Sequence, residues 1–142
     1  RMNIDSIENG VVIDHITAGQ GLRLYKLLGL DETEETIALI QHVKSKKMGR
    51  KDIIKIDSKT LKVDFNIIGF VDPGATIDVI KDGKLVDKLH IDMPEELVGV
   101  LKCNNPRCIT TTEQELPQIF KLTDRENKVY RCKYCEVSGK KK

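Results

Sequence analysis

The C-terminal part of the chain holds all four of its cysteines, in two close pairs. The first pair, in "KCNNPRCI", is Cys103 and Cys108, and the second, in "YRCKYCE", is Cys132 and Cys135. Each close pair allows one turn of the chain to present two thiolates to the same ion, and the long gap allows the chain to return and complete a tetrahedron. Zn²⁺ accepts four sulfur ligands in this geometry, and four protein ligands leave no open position for chemistry. The spacing therefore predicts one structural zinc ion per chain.

Two disulfides, or four unrelated buried thiols, are the alternatives to a zinc site. The start of the sequence, "RMNIDSIENG", has no apolar h-region of a secretory signal. No apolar run approaches the ~20 residues that span a bilayer. We therefore expect a cytoplasmic protein with no membrane partner. In that compartment thiols stay reduced, and close cysteine pairs bind metal more often than they form disulfides.

The length of 142 residues allows one ordinary domain or two small ones. Residues 97–142 have few core-forming side chains and need a staple, which the four cysteines supply. The segment "DMPEEL" (92–97) precedes them, and its proline favours an extended or turn connection. We therefore predict two domains, 1–96 and 97–142, of which the second is a small, β-rich, zinc-ribbon-like domain.

Strand patterns recur through residues 1–96. Apolar, β-branched runs predict strands at 10–16, 34–43 and 51–56, the last two joined as a hairpin. The stretch "TIDVIKDGKLVDKLHI" predicts two further strands around Asp82-Gly83, a pair of residues typical of a type I′ turn.

Two helices are predicted between these strands. The first lies in "TAGQGLRLYKLLG" and ends at Gly29. Its apolar stripe is Ala18, Leu22, Tyr25 and Leu28. The second lies in "DSKTLKVDFNIIGF", begins at a cap formed by Asp57 or Ser58, and ends at Gly69. Its apolar stripe is Leu61, Phe65 and Ile68. The resulting order, β-α-β-β-α-β with one extra strand, predicts an α+β, ferredoxin-like fold with an antiparallel sheet and both helices on one face.

Charge is divided unevenly along the chain. Residues 1–96 contain 14 Lys and Arg against 17 Asp and Glu, whereas residues 97–142 contain 10 against 5. Neither part is the strongly basic body expected of a protein that follows a phosphate backbone, so we expect no nucleic-acid partner. The alternative is a nucleic-acid-binding zinc ribbon that uses the hairpin lysines and the terminal "KKK". Tyr130 and Tyr134 are the only aromatic residues near the ribbon that could stack on bases.

Basic residues of the acidic part are concentrated in one predicted hairpin. They are Lys44, Lys46, Lys47, Arg50, Lys51 and Lys55. Lys51 and Lys55 are four apart on a strand and share one face, while Ile54 and Ile56 share the other. A positive patch on an acidic body fits a small anion such as phosphate better than a long polyanion. A solvated hairpin is the alternative explanation.

A catalytic constellation is not evident. In "IDHI", Asp14 and His15 are consecutive strand residues and are expected to face opposite ways, which prevents a catalytic pair between them. There is no phosphate-binding Walker loop, glycine-rich dinucleotide loop, HExxH or GxSxG motif. An enzyme that used His15, His42 or His90 would lack a paired base and nucleophile, so we expect no catalytic activity.

Six stretches of the chain, taken together, form a specific pattern: "GVVIDHI", "MGRKDIIKI", "GATIDVI", "MPEEL", "CNNPRCI" and "RCKYCE". In their order and spacing, over about residues 2–137, they resemble one family, the regulatory chain of aspartate carbamoyltransferase. The resemblance implies a non-catalytic regulatory subunit of pyrimidine biosynthesis. Its N-terminal domain would bind ATP, CTP and UTP, and its zinc domain would dock on the catalytic chain. Homodimers of regulatory chains would bridge the catalytic subunits.

The resemblance also implies which residues bind the nucleotide. Matching positions are Asp14, His15, Lys51, Lys55 and Lys88, with Ile4, Asp5 and Ile7 in the segment that reads the base largely through backbone groups. The four cysteines match the family's metal ligands. Lysines acting as point charges suit a triphosphate, with or without Mg²⁺. Three positions depart from the family's common residues, namely Asp78, Gly83 and His90.

Overall fold

The computed structural model describes residues 7–138 and divides into two compact units, 1–92 and 93–142. The expected boundary at 96/97 falls inside a strand of the second unit, Glu96–Val98, so the second unit begins earlier than expected, at Met93. Among the described residues, no helix has the length and apolar character needed to cross a bilayer.

The first unit is one five-stranded antiparallel sheet with two short helices. Its strands are β1 (Gly10–Thr17), β2 (Thr36–Ser45), β3 (Gly49–Asp57), β4 (Thr76–Lys81) and β5 (Lys84–His90). Its helices are α1 (Gly21–Leu27) and α2 (Phe65–Val71), and a single 3₁₀ turn covers Leu30–Glu32. The strand order is β2-β3-β1-β4-β5, which is the ferredoxin-like order with β5 added at one edge. The predicted α+β class is confirmed.

Isoleucines from the central strands fill the core of this unit. Ile13 on β1 lies opposite Ile54 on β3 and Ile77 on β4, and all three are fully buried. Leu24 of α1 and Ile68 of α2 are equally buried. Helix α1 packs against α2, β2 and β3, so one face of the sheet is covered and the other is free of helices.

The register of α1 differs from the predicted stripe. Leu24 is fully buried, whereas Leu22, which the stripe placed in the core, is 43% exposed. A Cβ atom on Gly21 would lie 2.7 Å from Asp52 Oδ2, so the helix approaches β3 too closely for a larger residue there. The predicted end is confirmed, because Gly29 follows the helix at φ +72°, a left-handed conformation that glycine adopts without strain.

Helix α2 begins later and ends later than predicted. Asp57 is the last residue of β3, and Ser58 accepts hydrogen bonds from backbone N–H groups in a turn, so neither residue caps a helix. The cap is Asp64, whose side chain accepts a hydrogen bond from the Asn66 N–H, and the helix then continues past Gly69. The sequence pattern failed here because Leu61 lies four residues before Phe65 and so fits the helical spacing, although it precedes the helix.

The second unit is a three-stranded antiparallel sheet with one helical turn. Its elements are β6 (Glu96–Val98), α3 (Ile109–Thr112), β7 (Ile119–Asp124) and β8 (Val129–Cys132), and the strand order is β6-β7-β8. Leu97, Phe120 and Tyr130 form its small core. The Tyr130 hydroxyl donates a hydrogen bond to the Pro94 carbonyl at 2.7 Å, which fixes the start of the unit onto β8.

Candidate functional site

The four cysteine sulfurs come together at one point of the second unit. Their Sγ atoms all lie within 4.8 Å of one another, with Cys103 to Cys135 at 3.5 Å and Cys108 to Cys132 at 3.7 Å. These separations exceed a disulfide bond of ~2.05 Å, so the disulfide alternative is excluded. Four sulfurs bound to one ion at ~2.3 Å would lie ~3.8 Å apart, so the cluster has the size of a tetrahedral thiolate site.

Two turns of backbone present these sulfurs. Cys103 and Cys108 flank the loop that leads into α3, and Cys108 is the residue that immediately precedes the helix. Cys132 ends β8, and its carbonyl accepts the Glu136 N–H at 2.8 Å, which closes the turn around Cys135. The sequence therefore forms two chelating turns, as its spacing predicted.

The cysteine thiols differ in acidity because their surroundings differ. Burial raises the pKa of Cys103, to about 12, and it also raises the pKa of Cys132. Burial acts the same way on Cys108, but hydrogen bonds from the Thr110 hydroxyl and N–H outweigh it and lower that pKa to about 7. Packing four thiols together thus disfavours four thiolates unless a cation compensates their charge, and the donor set fits such a cation.

A second group of chemically active side chains lies on the helix-free face of the first unit. On β3, Asp52, Ile54 and Ile56 are buried beneath the helices, so Lys51 and Lys55 point to the opposite face, as predicted. Across the sheet, Lys55 pairs with Val12, Val12 with Asp78, and Asp78 with Lys88, so one row of the sheet carries two lysines on this face.

A β-bulge places Asp14 and His15 on that same face. Ile13 pairs with Ile54 and Ile16 with Asp52, so two residues of β1 oppose one residue of β3. Ile13 and Ile16 are both fully buried, and the two residues between them turn outward together. His15 has φ +58°, and its N–H donates to Asp14 Oδ1 at 2.6 Å. The expectation that the two side chains face opposite ways is wrong, because the bulge breaks the alternation of the strand.

Each member of the bulge has its own partner. Lys51 Nζ lies 2.9 Å from Asp14 Oδ1, and His15 Nδ1 lies 2.9 Å from Thr76 Oγ1. Burial raises the pKa of the Asp14 carboxyl, but the hydrogen bonds from Lys51 and from the His15 N–H outweigh it, and the pKa is lowered overall. Lys51 is therefore already neutralised by a carboxylate.

Asp78 has an unusual setting on this face. Its Oδ1 atom is buried and has no hydrogen-bond donor among the described residues, and Lys88 Nζ is 3.7 Å from it. That separation is too long for a hydrogen bond and corresponds to an ion pair with a half-exposed lysine. Lys88 is thus held only loosely.

A cavity of about 500 Å³ opens beside these residues. It is lined by His15, Lys47, Met48, Gly74, Thr76, Lys88 and His90. Its volume is in the range of small-molecule sites, and none of the described lining residues is acidic. His15 and Lys88 are among the residues predicted for the nucleotide site, whereas Lys47 and Thr76 are not. The strand pairing that brings Thr76 opposite both Asp14 and His90 leaves no local signal in the sequence.

The N-terminal residues predicted to read a base are only partly described. Ile7 precedes β1 and is buried. Ile4 and Asp5 lie outside the described residues. The Asp82-Gly83 turn has both φ angles positive, as a type I′ turn requires, and places Gly83 at the end of the sheet.

Both units of the chain match models of a known protein family. The family described as "Aspartate carbamoyltransferase regulatory chain, allosteric domain" matches residues 2–92, and the corresponding "metal binding domain" matches residues 95–142. A protein of Clostridium botulinum named aspartate carbamoyltransferase regulatory chain is 47% identical over 95% of this chain and 92% of its own length.

Two further relatives carry the same name. The Clostridium tetani protein is 44% identical over 95% of this chain, and the Bifidobacterium longum protein is 43% identical over 98% of this chain and 99% of its own length. The four-sulfur cluster lies in the part matched by the metal-binding domain, and the sheet with its basic face lies in the part matched by the allosteric domain. This chain therefore belongs to the family of aspartate carbamoyltransferase regulatory chains, the non-catalytic subunits of that enzyme.

Proposed function

We propose that this chain binds ATP, CTP and UTP on the helix-free face of its first unit and thereby regulates the catalytic chain of aspartate carbamoyltransferase, in the cytoplasm. The observation that carries the proposal is the basic cavity beside the bulge, where His15, Thr76 and Lys88 from three strands face one space with no acidic residue described in its lining. Lys88 and Lys55 lie in one row of paired residues across the sheet, so a second lysine of the same face lies beyond the cavity, on β3.

Individual residues take distinct roles in this proposal. Lys88 moves from its 3.7 Å ion pair to the phosphates, while His15 offers a ring nitrogen beside them. Lys55 lies three strands away, roughly 14 Å across the sheet, and contacts the ribose end. Asp14 holds Lys51 in place, and the segment with Ile4, Asp5 and Ile7 reads the base. Mg²⁺ accompanies the triphosphate as a hard cation that takes oxygen ligands.

Binding affects the enzyme through thermodynamic linkage. A nucleotide shifts the enzyme only by the difference between its affinities for two conformations, typically ~1–3 kcal/mol. The signs for ATP, CTP and UTP depend on that difference, and Asp78, Gly83 and His90 are the positions where this chain departs from the family's common residues.

The nucleotide site is tested by calorimetric titration of the full chain with CTP. We expect Lys88→Ala to weaken CTP binding by at least tenfold, because a charge-assisted contact to phosphate contributes ~1.5–3 kcal/mol. Lys84→Ala, an equal loss of charge at the exposed start of the same strand, is the matched control and should change the affinity less than threefold. Equal effects of the two substitutions would remove Lys88 from the site.

We propose further that the second unit binds one structural zinc ion through its four cysteines and docks on the catalytic chain, while homodimers of this chain link catalytic subunits. The sulfur atoms have the separations of a tetrahedral site, which supports zinc. Four protein ligands leave no position for a substrate, which supports a structural role.

Apolar side chains near the cluster support docking. Ile109, Tyr134 and Val137 are each more than a third exposed and adjoin the two chelating turns. Tyr130 is buried in the core, which leaves little aromatic surface for stacking on nucleic-acid bases.

Docking is tested by gel filtration of this chain with the catalytic chain. We expect Cys108→Ser to abolish co-migration, because loss of one thiolate ligand unfolds the surface that docks. Glu8→Ser, a substitution of an exposed residue of the first unit, serves as the control and should co-migrate normally. Co-migration of the Cys108→Ser protein would contradict docking through a metal-dependent surface.

A further inference from the structure

One lysine of the basic cavity belongs to a turn rather than to the sheet. Lys47 is the middle residue of the three-residue turn 46–48 between β2 and β3, and it lines the same space as His15, Thr76 and Lys88. The tip of one hairpin thus closes a cavity whose other walls come from β1, β4 and β5.

Local hydrogen bonds fix the shape of this hairpin without using the Lys47 side chain. Gly49 follows the turn at φ +79°, and the Met48 N–H donates to Ser45 Oγ at 3.2 Å. Lower down, β2 is bulged before Val43, and Arg50 donates to the His42 carbonyl at 2.9 Å. Because these contacts position the tip, the exposed Lys47 side chain is available for a ligand.

The lysines on this side of the molecule differ in how their charge is compensated. Lys51 is paired with Asp14 at 2.9 Å, and Lys88 lies 3.7 Å from Asp78. Lys47 has no ion pair with any residue of the described part of the chain. An uncompensated cation at the mouth of a concave site attracts the most negative part of an anionic ligand.

We propose that Lys47 is a specificity-determining residue that binds the terminal phosphate of a nucleoside triphosphate, so that the site selects ligands by phosphate number. This inference rests on the nucleotide-binding function proposed above. The phosphates nearest the ribose contact His15, Thr76 and Lys88 at the floor of the cavity. Only a ligand long enough to reach from that floor to the hairpin tip gains the Lys47 contact, and a nucleoside monophosphate is too short.

The chain offers a matched control in the neighbouring residue. Lys46 belongs to the same turn and carries the same charge, but it lines a different depression together with Lys44 and Arg50. Replacing Lys46 removes one positive charge from the hairpin tip without removing a side chain from the cavity. Comparison of the two substitutions separates a direct contact from the general loss of positive potential.

Calorimetric titration of the full chain with CTP, CMP and inorganic tripolyphosphate tests the inference. We expect Lys47→Ala to weaken CTP and tripolyphosphate binding about tenfold, the effect of losing one charge-assisted contact, and CMP binding less than twofold. Lys46→Ala should weaken all three ligands less than threefold. Circular dichroism of both variants should match that of the unsubstituted chain, because both side chains are exposed.

Different outcomes distinguish this inference from the nucleotide function on which it rests. If Lys47→Ala weakens CTP and CMP by the same factor, or leaves CTP unchanged, the assignment of Lys47 is wrong while the nucleotide site stands. If tripolyphosphate binding depends on Lys47 but neither CTP nor CMP binds, the anion cavity stands and the nucleotide function fails.

Discussion

In the first unit, isoleucines from β1, β3 and β4 lie fully buried beneath two helices, whereas in the second unit the core is Leu97, Phe120 and Tyr130 beside four sulfurs. The first unit closes its core with side chains alone. The second has only three short strands and one helical turn, which bury too little apolar surface for a unit of this size to be stable by itself. Two halves of one chain can therefore reach stability by different routes, apolar packing in one and metal binding in the other.

Removing the metal should produce the largest difference between the two units. Structural zinc contributes ~10–16 kcal/mol in small metal-dependent domains, so a chelator should unfold residues 93–142 and leave the first unit folded. Amide resonances in a two-dimensional NMR spectrum report on each unit separately. The resonances of residues 93–138 should move to random-coil chemical shifts, while those of residues 7–92 should keep their positions. If both sets persist, or both are lost together, the two units do not differ in this way.

The first unit has its own internal anchor, which is a buried carboxylate. Asp52 is completely buried, and its oxygens accept the N–H groups of Gly19 at 3.0 Å, Gly21 at 2.8 Å and His42 at 3.0 Å. It therefore ties the start of α1 and the bulge of β2 to the centre of β3. These three hydrogen bonds join separate elements of the first unit to one residue, just as the metal would join the two cysteine turns of the second unit.

We expect Asp52→Ala to lower the free energy of unfolding of the first unit by ~3 kcal/mol, because three N–H groups, one buried and two part-buried, lose their common acceptor at ~1–3 kcal/mol each. Urea denaturation followed by circular dichroism measures the change. Asp52→Asn retains one acceptor oxygen and should cost less. If the alanine and asparagine variants are equally stable, the hydrogen bonds to Asp52 are not what holds these elements together.

A smaller effect is expected at the surface of the same unit. The pKa of Asp14 is lowered, so its ionised form contributes stability above the unfolded pKa of ~3.9, and this contribution is lost as pH falls through the folded pKa. In Lys51→Met the opposing effect of burial dominates, so the pKa of Asp14 should rise and the acid-sensitive contribution should disappear. Carboxyl carbon chemical shifts followed from pH 2 to 7 measure this pKa. A pKa that does not rise would show that Lys51 is not the cause of the shift.

Local features of the fold follow from the sequence because their causes are local. Gly29 ends α1, and the Asp82-Gly83 turn joins β4 to β5, because each needs a backbone conformation that only particular residues adopt. The spacing of the cysteines likewise predicts two chelating turns. At the candidate site, the alternation of side chains along a strand correctly predicts that Lys51 and Lys55 lie on one face of β3.

Other features depend on residues far away in the chain. One bulge in β1 turns Asp14 and His15 outward, and a second bulge lies in β2 at His42. Both are defined by the pairing of these strands with β3, and Asp52 of β3 accepts a hydrogen bond from the His42 N–H. No local pattern encodes an extra residue whose partner strand lies elsewhere in the sequence. The same reason explains the shifted stripe of α1, which is decided by how closely Gly21 approaches the carboxylate of Asp52.

The division into two units, the antiparallel sheet and the cysteine cluster could be predicted from the sequence, because they depend on apolar periodicity and on short ligand spacing. Which charges remain available to a ligand depends instead on the packing of the folded chain. Lys51 is neutralised by Asp14, Lys88 is held loosely by Asp78, and Lys47 faces the cavity. Charge compensation acts between side chains that are close in space, and strand pairing sets that closeness over long distances in sequence.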